Sequence, residues 1–88
     1  MLTIDELREE IKLIDAVIIE KLAARKDISI KIGELKLKEH RNIVDLSQEK
    51  VLTAFHEKTA EKLMLPENYV KKIFKIIIEY SRTVQAYL

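Results

Sequence analysis

The fold class this sequence predicts is all-α, with three helices per chain and a long first helix. Three observations carry the prediction. One glycine and one proline among 88 residues leave almost none of the residues that punctuate a chain into short elements. Aromatic residues make up only 6%, so a large group of strand formers is scarce. Apolar residues recur three and four apart over long stretches, which is the helical period. With 48% hydrophobic and 35% charged residues, the composition is that of a folded chain. The length fits one domain over residues 1–88.

The first helix begins near Thr3, where Thr3 and Glu6 have the spacing of a capping box. Its apolar stripe runs through Leu7, Ile11, Ile14 and Ile18 and resumes at Ile28, Ile32 and Leu35. No proline interrupts it, so it extends to about Glu39. His40 to Val44 break the period and form a loop. Asp45 caps the second helix, with Gln48 completing a box-like pair, and Val51, Leu52, Phe55 and Leu63 are its apolar positions. Pro66 takes the first position of the third helix and Glu67 its first turn. That helix carries Val70, Ile73, Phe74, Ile77, Val84 and Leu88.

Helix length bears on assembly. The first helix would be about 54 Å long, whereas a compact globule of this size is about 30 Å across. Part of its apolar stripe would overhang its own chain, and a second copy can cover it. The expectation is an intertwined homodimer in which the long helices pack on each other. The alternative, a break near Ala23 giving a four-helix monomer, has no glycine or proline to mark it.

Charge and composition exclude several classes. A net charge of +1 gives no overall attraction to nucleic acid or to an anionic membrane. The apolar runs are too short to span a bilayer, and Met1 to Ile4 lead straight into a charged segment, so no signal peptide is expected. The expected compartment is the cytoplasm. The absence of cysteine removes disulfide and thiolate chemistry. His40 and His56 have no ligand-like spacing, so neither metal nor cofactor is expected.

The informative positions are polar residues inside apolar stripes. Arg25 stands where an apolar residue is due. Lys36 follows about three turns later on the same side, about 16 Å along the axis, so both long side chains can converge on a small anion. Ser81 interrupts the third helix's apolar series, and Gln85 lies one turn beyond it. Asp45 and Glu49, four apart at the start of the second helix, face one space. Directing these groups toward a core is costly unless something partners them, and a small polar ligand would do so. Taken singly, each has an ordinary explanation. Arg25 can pair with a buried acid, Ser81 can bond its own backbone, and Glu49 can be a solvated first-turn acid.

The ordered set resembles a known family. Leu7-Arg8, Ile14-Asp15, Arg25, Ile32-Gly33-Glu34-Leu35-Lys36, Ile43-Val44-Asp45 with Glu49, and Ile77-Ile78-Glu79-Tyr80-Ser81 with Gln85 resemble the AroQ-class chorismate mutases over nearly the whole chain. The resemblance implies an isomerase of aromatic amino-acid biosynthesis that converts chorismate to prephenate. It also implies a helical homodimer with composite sites. Arg25 would bind a substrate carboxylate, and Arg8 would reach into the partner's site. Lys36 and Gln85 would flank the ether oxygen of the breaking bond. Glu49, with the backbone near Asp45, would hold the ring hydroxyl, and Ser81 would assist at the ring carboxylate. One substrate-contacting position departs: Gln48 stands where many members have arginine, and glutamine brings no charge. Lys50 or Arg82 are the residues able to compensate.

A concerted [3,3] rearrangement needs no nucleophile, base or metal, which suits a chain with no such arrangement. It needs the substrate folded and the developing negative charge on the ether oxygen stabilised. Two other readings stay open. Isochorismate pyruvate-lyase chemistry runs on the same fold with the same cations. A catalytically silent helical dimer serving as an interaction module is consistent with Gln48. Within 88 residues there is no room for a further catalytic or amino-acid-binding domain, so no feedback site is expected.

Overall fold

A computed structural model describes residues 2–88; Met1, where the signal-peptide reading begins, lies outside them. The chain forms three helices, α1 (Ile4–Lys38), α2 (Leu46–Lys62) and α3 (Glu67–Ala86), and no strand among the described residues. The break considered near Ala23 does not occur, and α1 is continuous for 35 residues.

Each boundary has a local cause. The Thr3 hydroxyl accepts from the Glu6 N–H at 3.1 Å and the Glu6 carboxylate accepts from the Thr3 N–H at 3.3 Å, a complete capping box worth about 1 kcal/mol. Asp45 caps α2 by accepting from the Gln48 N–H at 3.1 Å. The return bond from the Gln48 side chain is absent among the described residues, so the expected pair is only half made. Pro66 is the cap of α3 and not its first helical residue. It still suits the place, because its missing N–H would have no partner there.

Both interhelical turns are built alike. Beyond α1, Arg41 N–H bonds Lys36 C=O at 2.8 Å and His40 N–H bonds Leu37 C=O at 3.3 Å. Beyond α2, Leu65 and Met64 repeat the pattern onto Ala60 and Glu61. These paired bonds place His40 (φ 56°) and Met64 (φ 59°) in the left-handed region, where glycine is the usual occupant. The first turn matters for function because it folds the 40–44 loop back over the end of α1.

The helices do not share one core. α3 is central: it packs on α1 on one side and on α2 on the other, while α1 and α2 do not pack together. The molecule measures 58 × 25 × 15 Å, the long dimension being that of α1. Among the described residues no large side chain is fully buried. Leu7, Ile11, Ile14, Ile18 and Leu22 are exposed along one stripe of α1, and so are Leu13, Val17 and Ile19 on its other faces. No helix among the described residues is long and apolar enough to cross a membrane.

The α1–α3 seam runs parallel and in step. Ser29 meets Ser81, and one turn later in both helices Gly33 meets Gln85. The approach is close enough to require glycine. A Cβ on Gly33 would lie 2.5 Å from Leu88 Cδ1, 2.9 Å from Gln85 Cγ and 3.1 Å from Gln85 Cβ. The Leu88 side chain can swing away, but Gln85 Cβ moves only with its helix. Gly33→Ala gains about 1 kcal/mol of helix propensity against about 1–3 kcal/mol of overpacking. The expected outcome is a lower melting temperature by calorimetry; an unchanged or higher one would show that the seam has slack.

Candidate active site

Lys36 sits in the last turn of α1, and the loop that follows reverses over it. Its ammonium donates to the Ile43 carbonyl at 2.6 Å and to Gln85 Oε1 at 3.2 Å. An ammonium has three donors and no acceptor, so one N–H remains. The same bond orients Gln85: only its oxygen can face Lys36, which leaves its amide N–H groups turned elsewhere. Two free donors of different charge therefore sit side by side, one fixed from α1 and the loop, the other from α3.

Two turns nearer the start of the seam is a second cluster. Arg25 donates through Nη1 to Ser81 Oγ, and Ser29 Oγ lies 3.1 Å from Ser81 Oγ. With Ser29 donating, Ser81 accepts twice and its own O–H remains free to donate. Ser29 is buried, at 5% exposure. Burial lowers the pKa of the Arg25 guanidinium from its ordinary value, yet it stays charged at neutral pH. No carboxylate pairs with it among the described residues, so the buried-acid explanation of Arg25 does not hold. A half-buried cation without an anion is a place where an anionic ligand gains most.

The third wall is the start of α2. Asp45 spends one oxygen on its cap and holds the other 3.8 Å from Arg41. Gln48 faces the same space, its side chain without a partner among the described residues. Glu49 is not the solvated acid of the simplest expectation. Arg82 grips it with both arms of its guanidinium, Nε to Oε2 at 3.2 Å and Nη2 to Oε1. That bond raises the Arg82 pKa further and ties α2 to α3.

These groups surround one cleft of about 730 Å³, within the range of small-molecule sites. Arg25, Lys36, Asp45, Gln48, Glu49, Ser81 and Gln85 all line it, with Ile28, Ile32, Leu52 and Ile78 supplying apolar walls. Arg8 does not. It is exposed, 3.6 Å from Asp5 on its own helix, and about 25 Å along the axis from Arg25. Sequence reasoning missed Ser29 and the Ile43 carbonyl and gave Gly33 no part in the site. Ser29 could have been found as the polar residue one turn beyond Arg25. A backbone carbonyl leaves no trace in side-chain pattern.

The class these features define is a helical anion-binding site that offers cations and neutral donors and, among the described residues, holds no nucleophile–base pair. The comparisons agree. Residues 7–86 match the family Chorismate mutase type II. The chain is 37% identical over 78 residues to the bifunctional chorismate mutase/prephenate dehydratase of Buchnera aphidicola subsp. Schizaphis graminum (strain Sg), covering 89% of this chain and 20% of that protein. It is 30% identical over 79 residues to the bifunctional chorismate mutase/prephenate dehydratase of Escherichia coli (strain K12), covering 90% and 20%. The chain belongs to the chorismate mutase type II family. It spans about one fifth of the length of these curated relatives.

Behind the site, on the α2–α3 seam, His56 stacks on Phe74 with centroids 3.7 Å apart and planes 23° apart. Burial, and next the charge of Arg25, lower its pKa from the ordinary value. The folded state thus binds fewer protons here than the unfolded chain, so this contribution to stability is complete above about pH 6.5 and is lost as pH falls below it. The melting temperature should drop between about pH 7 and pH 5, and by less in His56→Phe, which keeps a ring against Phe74. Equal slopes in the two proteins would assign the acid sensitivity elsewhere.

Proposed function

We propose that this chain converts chorismate to prephenate as an intertwined homodimer with composite sites, with the cytoplasm as its compartment. The observation that carries the reading is the paired free donors of Lys36 and Gln85 facing one cleft. In a [3,3] rearrangement the C–O bond breaks as a C–C bond forms, and negative charge grows on the ether oxygen. A fixed ammonium and a neutral amide aimed at that oxygen act more strongly on the transition state than on the substrate. Neither needs to move a proton, so the step requires no acid or base. Arg25 holds one substrate carboxylate and Ser81 donates its O–H to the ring carboxylate. Glu49 keeps lone pairs beyond those Arg82 uses and, with the backbone at Asp45, takes the ring hydroxyl. Gln48 contributes neutral donors at that wall.

The test is to incubate purified protein with chorismate, follow its loss and identify prephenate. Lys36→Ala should lower kcat/KM by about a hundredfold or more, the scale of one oxyanion donor. Pyruvate released from isochorismate instead would mean a lyase. No turnover of either, with no shift in melting temperature on adding them, would leave a silent helical module.

The dimer is supported by exposed surface and by Arg8. The chain exposes 7773 Å², against about 5,400 Å² for a compact monomer of its mass. That excess is of the order an obligate interface buries. The first half of α1 is apolar on several faces, the mark of a helix meant to be covered. Arg8, remote from its own cleft, becomes useful only in a partner's. Mixing inactive Arg8→Ala with inactive Lys36→Ala should restore about a quarter of wild-type activity, because each mixed dimer has one intact site under two-fold symmetry. No recovery after subunit exchange would rule out composite sites.

A further inference from the structure

We propose that Arg82 is a substrate-binding residue, supplying from α3 the positive charge that α2 does not bring to the cleft; this rests on the dicarboxylate reading above. The wall formed by α2 and α3 presents Gln48, Glu49, Ser81, Arg82 and Gln85. Among the described residues Arg82 is the one cation on that wall. Without it, an incoming dianion would face a bare carboxylate. Arg82 changes this in two ways. Its two bonds to Glu49 cancel that charge, and three of its five N–H donors remain. Ile78, Arg82 and Gln85 are spaced four and three apart, so they share one face of α3, and all three line the cleft. Arg82 is therefore next in the chain to Ser81, where the ring carboxylate is placed, and on the same side of α3 as Gln85. Glu49 fixes the guanidinium plane, so less side-chain freedom is lost when a carboxylate meets the remaining donors. The neutral Gln48 at the neighbouring position and the cation at Arg82 are then two halves of one exchange, the charge having moved from one helix to the other.

The experiment uses steady-state kinetics on chorismate with wild type, Arg82→Ala, Arg82→Gln, Gln48→Arg and the double variant Arg82→Gln/Gln48→Arg, each with a thermal melt. Arg82→Gln retains a donor for Glu49 while removing the charge, so it guards against simple loss of the helix tie. Arg82→Gln should raise KM about tenfold or more with a smaller change in kcat, the pattern of lost binding to both ground and transition states. Adding Gln48→Arg to Arg82→Gln should recover most of that loss in KM, because the charge returns to the same wall from α2. A purely structural Arg82 would lower the melting temperature and leave KM of the folded Arg82→Gln at the wild-type value, and that result overturns the inference. Wild type that turns over chorismate while Arg82→Gln keeps its KM removes this inference alone. Wild type that fails to turn it over removes the underlying reading and this inference with it.

Discussion

The α1–α3 seam is the constraint on which the site depends. α1 and α2 do not pack together, so every relation between the first helix and the rest passes through α3. Gly33 lets the two backbones approach, and the step from Ser29–Ser81 to Gly33–Gln85 sets their register. With the register fixed, Arg25 reaches Ser81 and Lys36 reaches Gln85, so both long side chains lean toward the middle of the cleft. A shift of α3 by one residue would turn Ser81 and Gln85 about 100° away from α1, and both clusters would dissolve.

The second constraint is the length of α1 against the size of the chain. Thirty-five continuous residues give a rod that 88 residues cannot wrap, and the described residues accordingly bury no large side chain fully. The same rod serves two places. Its second half carries Arg25, Ser29, Gly33 and Lys36 into one cleft, while its first half carries apolar faces and Arg8 out into solvent. The proposed dimer gives both tasks, covering those faces and completing a site, to a second copy.

Charge is arranged locally although the chain is nearly neutral overall. These donors in the cleft are pinned by protein partners and left with a free valence: Lys36 by Ile43 and Gln85, Ser81 by Arg25 and Ser29, Arg82 by Glu49. Pinning before a ligand arrives lowers the cost of organising the site around developing charge. The partners are neutral oxygens at Lys36 and Arg25 and a carboxylate only at Arg82, so the two cations on α1 keep their full pull on an anion.

The all-helical class, the three helices and the Thr3 and Asp45 caps were legible in the sequence, because caps and apolar period are local and depend on residues three and four apart. The polar interruptions at Arg25, Lys36, Ser81 and Gln85 were legible as well, since a polar residue at an apolar position stands out without any knowledge of its partner. The expected box at Gln48 was only half made and Pro66 capped α3 from outside it, both being choices among nearly equal local bonds that packing tips. Who meets whom was decided by tertiary structure alone. Arg25 found a serine where an acid was the simple expectation, Glu49 found Arg82 where solvent was, and Lys36 found a backbone carbonyl that no side-chain pattern announces. Local hydrogen bonds and periodicity are written along the chain, whereas the pairing of groups on different helices, such as Arg25 with Ser81 and Glu49 with Arg82, depends on the distance and register at which those helices pack, and on α1 and α3 the distance is one that glycine at position 33 permits.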